Sequence, residues 1–197
     1  MTQGFPPSPV PGATPELIVL VDDTGAAHGV AEKLSAHHAD TPLHLGFSCY
    51  LFDGRGRLLV TRRALTKKVW PGVWTNSLCG HPAPGEALTG AVERRLAFEL
   101  GMGASSIEVV LPAFRYRTPP FHGVVENEFC PVLVARADGE PNPNPDEVEE
   151  YTWTDWGTFA ADARADNADR YSWWCKAQLD DLDADTLVAS YARPHAS

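Results

Sequence analysis

Apolar residues fall in short runs, and Gly, Pro and acidic residues punctuate them. ELIVLVDD, from Glu16, predicts a strand closed by a turn. LHLGFSCYLF (43–52) predicts a second strand, and the turn DGRG leads into LLVTR (58–62), so the two form a hairpin. Residues 86–100 predict a helix, whereas 107–116 and 124–135 predict strands. DGEPNPNPD reads as a loop before a strand at EVEEYTW (147–153). The acidic remainder predicts two helices, near 155–163 and 172–189. The opening MTQGFPPSPVPGATP has five Pro and two Gly in fifteen residues, so 1–15 is expected to be a disordered leader. The expected fold is α/β (α+β): one mixed β-sheet packed between helices, as a single domain over 16–190, with a tail at 191–197.

The predicted helix carries an anomaly. With Leu88 at zero, Ala91, Val92 and Leu96 form an apolar stripe, and Arg95 and Glu99 lie within about 20° of its middle. An i, i+4 ion pair at the edge of a core would explain this. So would a helix face that looks onto a charged site, with Glu99 holding a cation, and the neighbouring residues favour that second reading.

Composition narrows the class. The 197 residues carry a formal net charge of −10, which argues against a general nucleic-acid binder. No run approaches the length of a transmembrane helix, and the first fifteen residues lack Lys, Arg and an apolar core of a secretory signal. Four Cys without a CxxC pair make no disulfide framework or zinc ribbon. A cytoplasmic, monomeric enzyme or binding protein is the expectation. Positive charge is concentrated: residues 55–68 hold six of the sixteen Lys and Arg and no acid. Arg55 and Arg57 suit a solvated hairpin turn, whereas Arg63 and Lys67 suit an anion site for a small, highly charged ligand such as a diphosphate.

His37 and His44 lie in HHADTPLH, and Cys79 and His81 lie in SLCGHP. In VVENEFCP, Glu126 and Glu128 stand two apart in a strand-like run and share a face, roughly 7 Å apart. Two such carboxylates repel unless a cation or a proton lies between them. Three imidazoles and two carboxylates would leave an octahedral cation one open position, a ligand mix suited to Mn²⁺, Zn²⁺ or Fe²⁺. His28, His38, His122 and His195 are expected to lie outside such a site.

The spacing Gly80, Glu86, Arg94, Leu96, Glu99, Gly101 resembles the Nudix box, a loop–helix–loop that binds a divalent metal and a diphosphate. Arg95 and Phe98 occupy two of its acidic positions, which weighs against hydrolysis of a nucleoside or prenyl diphosphate, the alternative function. HADTPLHLGFS, LLVTRRALTKKVWPGVWTNSLCGHP, FRYR and ENEFCPV then resemble the type 1 isopentenyl-diphosphate delta-isomerases, from about Glu16 to about Gln178. The resemblance implies a Nudix-like fold and the conversion of isopentenyl diphosphate to dimethylallyl diphosphate through a tertiary carbocation. It implies that Cys79 and Glu128 act on opposite faces of the isoprenoid, that Tyr116 assists Glu128, and that Trp174 forms an aromatic wall, with Trp173 one residue away as the rival for that place. It also implies a metal site of His37, His44, His81, Glu126 and Glu128 holding Mn²⁺ or Zn²⁺, and Mg²⁺ on Glu99 bridging to the diphosphate. Lys33, Arg63, Lys67 and Arg95 would bind that diphosphate. For the order of proton transfers, Glu128 as donor and Cys79 as base is the expectation. A non-catalytic metal-binding module using the acidic C-terminal region is the remaining alternative.

Overall fold

The computed structural model describes residues 15–194; residues 1–14 of the leader expected at 1–15, and the last three residues of the tail, His195 among them, lie outside them. In chain order the elements are β1 (Leu17–Val21), β2 (Ala27–Glu32), α1 (Lys33–Ala36), β3 (His44–Leu45), β4 (Phe47–Phe52), β5 (Leu58–Arg63), β6 (Trp74–Thr75) and β7 (Leu78–Gly80). They continue with α2 (Leu88–Leu100), β8 (Gly103–Leu111), β9 (Arg115–Arg117), β10 (Asn127–Phe129), β11 (Val132–Asp138), β12 (Val148–Thr154), α3 (Trp156–Ala165), α4 (Trp173–Asp183) and α5 (Thr186–Tyr191).

The expected single sheet is two. One runs β2-β1-β3-β10-β9; the other runs β12-β5-β4-β11-β8, with β6 on β5 and β7 on β4. Both are mixed, because β10 pairs parallel with β3 and β11 pairs parallel with β4. The difference has a local cause. Three of the strands predicted as continuous are interrupted, at Gly46, at Pro112–Phe114 and at Pro131, and at each interruption the chain passes from one sheet to the other. Proline has no N–H for a ladder, so a strand that meets one must end or change partners. Likewise the helix predicted at 172–189 divides after Asp183, where the Asp185 side chain accepts from Leu187 N and Val188 N and starts α5 afresh.

The central strands of the second sheet, β5, β4 and β11, are buried on both faces over most of their length, and this fixes the layers. Alternate residues of β4 go opposite ways: Phe47, Cys49 and Leu51 pack with Val92, Leu96 and Leu100 of α2, whereas Tyr50 and Phe52 pack with Phe159, Leu179 and Tyr191 of the C-terminal helices. Burial of each large apolar side chain is worth roughly 1.5–3 kcal/mol, so the helices are held on both faces as expected. Gly101 ends α2 at φ 60°, the left-handed conformation that favours glycine at a helix C-terminus. Glu86 lies just ahead of α2 and accepts from Ala83 N and from Arg94 Nε and Nη2, while Arg94 Nη2 also donates to His81 O at 3.2 Å. The box spacing thus ties the loop carrying His81 to the helix.

Candidate active site

The crossing between the sheets brings the chemistry-bearing side chains together. His37 lies just after α1, His44 is in β3, His81 follows β7, and Glu126 and Glu128 lie at and just before β10. The parallel register sets Glu128 opposite His44, and on its other side Glu128 pairs with Tyr116. The three imidazole rings have centroids 4.9, 5.0 and 5.5 Å apart. His44 Nε2 lies 3.1 Å from His81 Nε2 and 3.7 Å from Glu128 Oε1; His81 Nε2 is 3.2 Å from that same oxygen, and His37 Nε2 is 3.3 Å from Glu126 Oε2. A Cβ at Gly46 would collide with the Glu128 carboxylate, so any larger residue there would displace that carboxylate from the cluster.

These donors fit a divalent cation. His37 Nδ1 and His44 Nδ1 face the carbonyls of Lys33 and Pro42, at 2.5 and 2.9 Å, which places the proton on Nδ1 and turns the Nε2 lone pair inward. Burial pushes His44 down to about 4 and holds His81 well below the usual imidazole range. Burial also opposes charge on His37, but its contact with Glu126 raises it overall. Two neutral imidazoles with Nε2 atoms 3.1 Å apart, and a buried Glu126 oxygen without a hydrogen-bond partner, lack only a shared positive centre. His37, His44 and His81 form one group able to hold an ion; His44, Glu126 and Glu128 form another that shares His44.

Cys79 stands on β7, paired with Ser48 of β4. Its thiol donates to Asn76 Oδ1 at 3.2 Å, and Ser48 Oγ is 3.6 Å from the sulfur. Burial, against the pull of that hydroxyl, pushes the thiol up to about 11. Asn76 is oriented unambiguously: its Nδ2 donates to Cys49 O and Leu78 O, and its Oδ1 also accepts from Thr75 Oγ1 and, at 3.3 Å, from Trp174 Nε1. Tyr50 donates to Gln178 Oε1 and Gln178 Nε2 donates to Ser48 Oγ, so the Ser48 proton is left for a sulfur. One amide oxygen therefore locates both the thiol and the indole, while the Ser48 hydroxyl lies within reach of the Cys79 sulfur and, at 3.5 Å, of the Cys130 sulfur.

All of this opens on a cavity of about 700 Å³. Cys79, Tyr116, Glu126, Glu128, His37, His81 and Trp174 line it at one end. Trp174 does so and Trp173 does not; the Trp173 ring instead stacks on Tyr116 at 5.9 Å. Burial, reinforced by Glu128, holds the Tyr116 phenol well above its usual range. The other end carries Lys33, Arg63, Lys67, Lys68 and Arg95. Arg63 is held by the carbonyls of Trp70 and Val69 at 2.9 and 2.8 Å, and its guanidinium lies 5.8 Å from the centre of the Trp174 ring. Lys33 pairs with Glu16 at 3.0 Å. Arg95 pairs with Glu99, the i, i+4 ion pair anticipated on this helix face, and both residues line the cavity. Burial opposes the Arg95 charge, and Glu99 and Glu147 more than offset it.

Residues 42–174 match the NUDIX domain. The isopentenyl-diphosphate Delta-isomerase of Saccharopolyspora erythraea is 53% identical over 167 residues, 85% of this chain and 86% of its own length. Those of Agromyces mediolanus and Klebsiella pneumoniae subsp. pneumoniae are 56% and 51% identical, covering 79% and 89% of this chain and 75% and 95% of their own. The chain belongs to the isopentenyl-diphosphate Delta-isomerase family. The NUDIX match places this family member within that broader superfamily. Solved structures agree on the fold: a Deinococcus radiodurans protein aligns with TM-score 0.58 at 20% identity, over 78% of this chain and 93% of its own. A MutT NUDIX hydrolase from Burkholderia pseudomallei aligns with TM-score 0.51 at 22% identity, over 71% and 97%.

Sequence reasoning missed several residues at this family member's site. Ser48 and Asn76 lie inside the quoted motifs but drew no role, because their work is to orient Cys79. Gln178 reaches Ser48 from α4, 130 positions away, with no local signal. The sequence marks Glu147 only as the start of a strand, yet its carboxylate meets Lys67 and Arg95.

Proposed function

We propose that this chain converts isopentenyl diphosphate to dimethylallyl diphosphate, with the cavity just described as its active site. The observation that carries this is one cavity lined both by a thiol and a cation-site carboxylate and by a cluster of cations. Moving the double bond from the 3,4 to the 2,3 position adds a proton at C4 and removes one from C2, with a tertiary cation between. Cys79 and Glu128 are the acid–base pair, and Tyr116, the cross-strand partner of Glu128, assists it. Arg63, Lys67, Arg95 and Lys33 hold the diphosphate, with Mg²⁺ on Glu99. His37, His44, His81, Glu126 and Glu128 hold Mn²⁺ or Zn²⁺, a cation that would fix the Glu128 carboxylate and tune its proton affinity. Hydrolysis is the weaker reading, since Arg95 and Phe98 stand where a hydrolase needs carboxylates.

Incubation with isopentenyl diphosphate and Mg²⁺ in D₂O tests this reading. Dimethylallyl diphosphate carrying solvent deuterium at the methyl derived from C4 is expected, without phosphate release. Phosphate release in place of isomerisation would select the hydrolase.

Trp174 is assigned to the intermediate. A cation between two proton transfers is captured by any water that reaches it, so the wall beside it must be large, apolar and electron-rich. An indole meets all three demands, and its cation–π attraction is worth about 2 kcal/mol when desolvated. Trp174→Phe keeps a ring and should keep measurable kcat; Trp174→Leu should fall further, by at least about tenfold relative to Phe. Equal kcat of the two variants at equal folded content would reduce position 174 to a space-filler.

A further inference from the structure

Glu147 is an acid of the cavity's basic end that belongs neither to the cation cluster nor to the proton-transfer pair; Glu99, with its assigned Mg²⁺, and Asp146 are the other two. Its place is fixed by backbone. Glu147 N donates to Asn144 O at 3.0 Å, Ala64 N donates to Glu147 O at 3.0 Å, and the next residue, Val148, pairs with Arg63 across β12 and β5. The carboxylate is therefore pinned opposite the turn that carries Arg63 and Lys67. Its Oε2 accepts from Lys67 Nζ and, at 3.3 Å, from Arg95 Nη2. The three side chains are only 16%, 18% and 11% exposed, so their charges are felt at short range with little solvent screening.

A carboxylate bonded to two of the cations that would receive an anionic ligand has an evident consequence. It lowers the attraction of this end for any bare anion, and Glu99, bonded to the same Arg95, acts in the same direction. A bare diphosphate brings several negative charges against both acids; a diphosphate carrying Mg²⁺ brings far fewer and presents a cation to them. We propose that Glu147 is a specificity-determining residue, which balances Lys67 and Arg95 so that the cavity takes the diphosphate as its Mg²⁺ complex and refuses the bare anion. The inference rests on the reading of this end as the diphosphate site.

The test uses the protein loaded with Mn²⁺ or Zn²⁺, and inorganic diphosphate as probe, titrated calorimetrically in Mg²⁺-free buffer and with Mg²⁺ in excess. The wild-type chain should bind in Mg²⁺ and bind much more weakly without it. Glu147→Gln, which keeps an oxygen for Lys67 but loses the charge, should tighten Mg²⁺-free binding by about five- to tenfold, as expected for one unit charge removed at short range in a largely buried site that opens on the cavity. Glu147→Asp should keep the wild-type dependence on Mg²⁺. Damage to the site would weaken binding in both buffers, so a gain of Mg²⁺-free affinity has no merely structural explanation. The proposal is overturned if Glu147→Gln shows no gain, or if Glu147→Asp gains as much. A wild-type chain that binds diphosphate in neither buffer would instead overturn the placement of the diphosphate, before any variant is made.

Discussion

Cys79→Ala should lower kcat by roughly a hundred- to ten-thousandfold or more, the usual loss when a positioned proton carrier is removed, while metal content stays at the wild-type level. The reasoning begins with Asn76. Its amide is buried and spends both N–H groups on backbone carbonyls, so its oxygen has one direction to face. The thiol proton meets that oxygen, and the Ser48 hydroxyl approaches the sulfur separately. The sulfur thus has a partner as thiol in Asn76 and, when the Ser48 proton turns from the Cys130 sulfur to it, a donor within reach as thiolate, which suits a group that gains and loses a proton each turnover. Alanine removes the carrier and little volume, and Cys79 is no member of the cation cluster. Turnover is read under saturating isopentenyl diphosphate, and metal by elemental analysis. Near-normal turnover would remove Cys79 from the chemistry.

Glu128→Gln should have the largest effect, because it strikes two functions at once. Glu128 lies opposite His44 in one ladder and Tyr116 in the other, and its Oε1 meets His81. An amide cannot exchange a proton at this site, and it removes a negative charge from the set that would hold the cation. Both kcat and bound metal should fall, kcat by at least as much as in Cys79→Ala. Comparing the two variants separates the roles: loss of activity with metal retained marks Cys79, and loss of both marks Glu128. If Glu128→Gln retains its metal in full, the carboxylate has no place in the cation site.

Local signals carried much of this fold. The continuous apolar run around FSCYLF, the hairpin turn at 53–56 and the box spacing from Gly80 to Gly101 depend on near neighbours, and each is visible along the chain. The exchange between sheets was not visible, although its markers were. Gly46, Pro112 and Pro131 stand in plain sight, but hydrophobic runs on both sides made each strand read as continuous. β2, α1, β6 and β7 were also missed. AHGVAE is exposed along most of its length, and the other three elements have only two to four residues each, too few to show a period. At the site, charged and metal-ligating side chains announced themselves by type and spacing. Asn76, Ser48 and Gln178 did not, since a buried amide or hydroxyl acquires its purpose only from what it touches. Glu147 is a different case: an acid in an acidic chain has no contrast until Lys67 and Arg95 are seen beside it.

The junction where β3 runs parallel to β10 bears on how the molecule assembles. His44 and Glu128 are 84 positions apart in sequence, and a parallel pairing cannot be reached by a simple turn. Closing so long a loop is slow and entropically unfavourable, with a cost that grows as the logarithm of its length. An ion bound by both partners, and by His37 and His81, would act as a reversible clasp across that loop. It would favour the closed chain by mass action without changing any apolar contact in either core. The candidate site of this fold is thereby also a seam between distant parts of the chain, and an ion that held it shut would lengthen the time the chain stays folded.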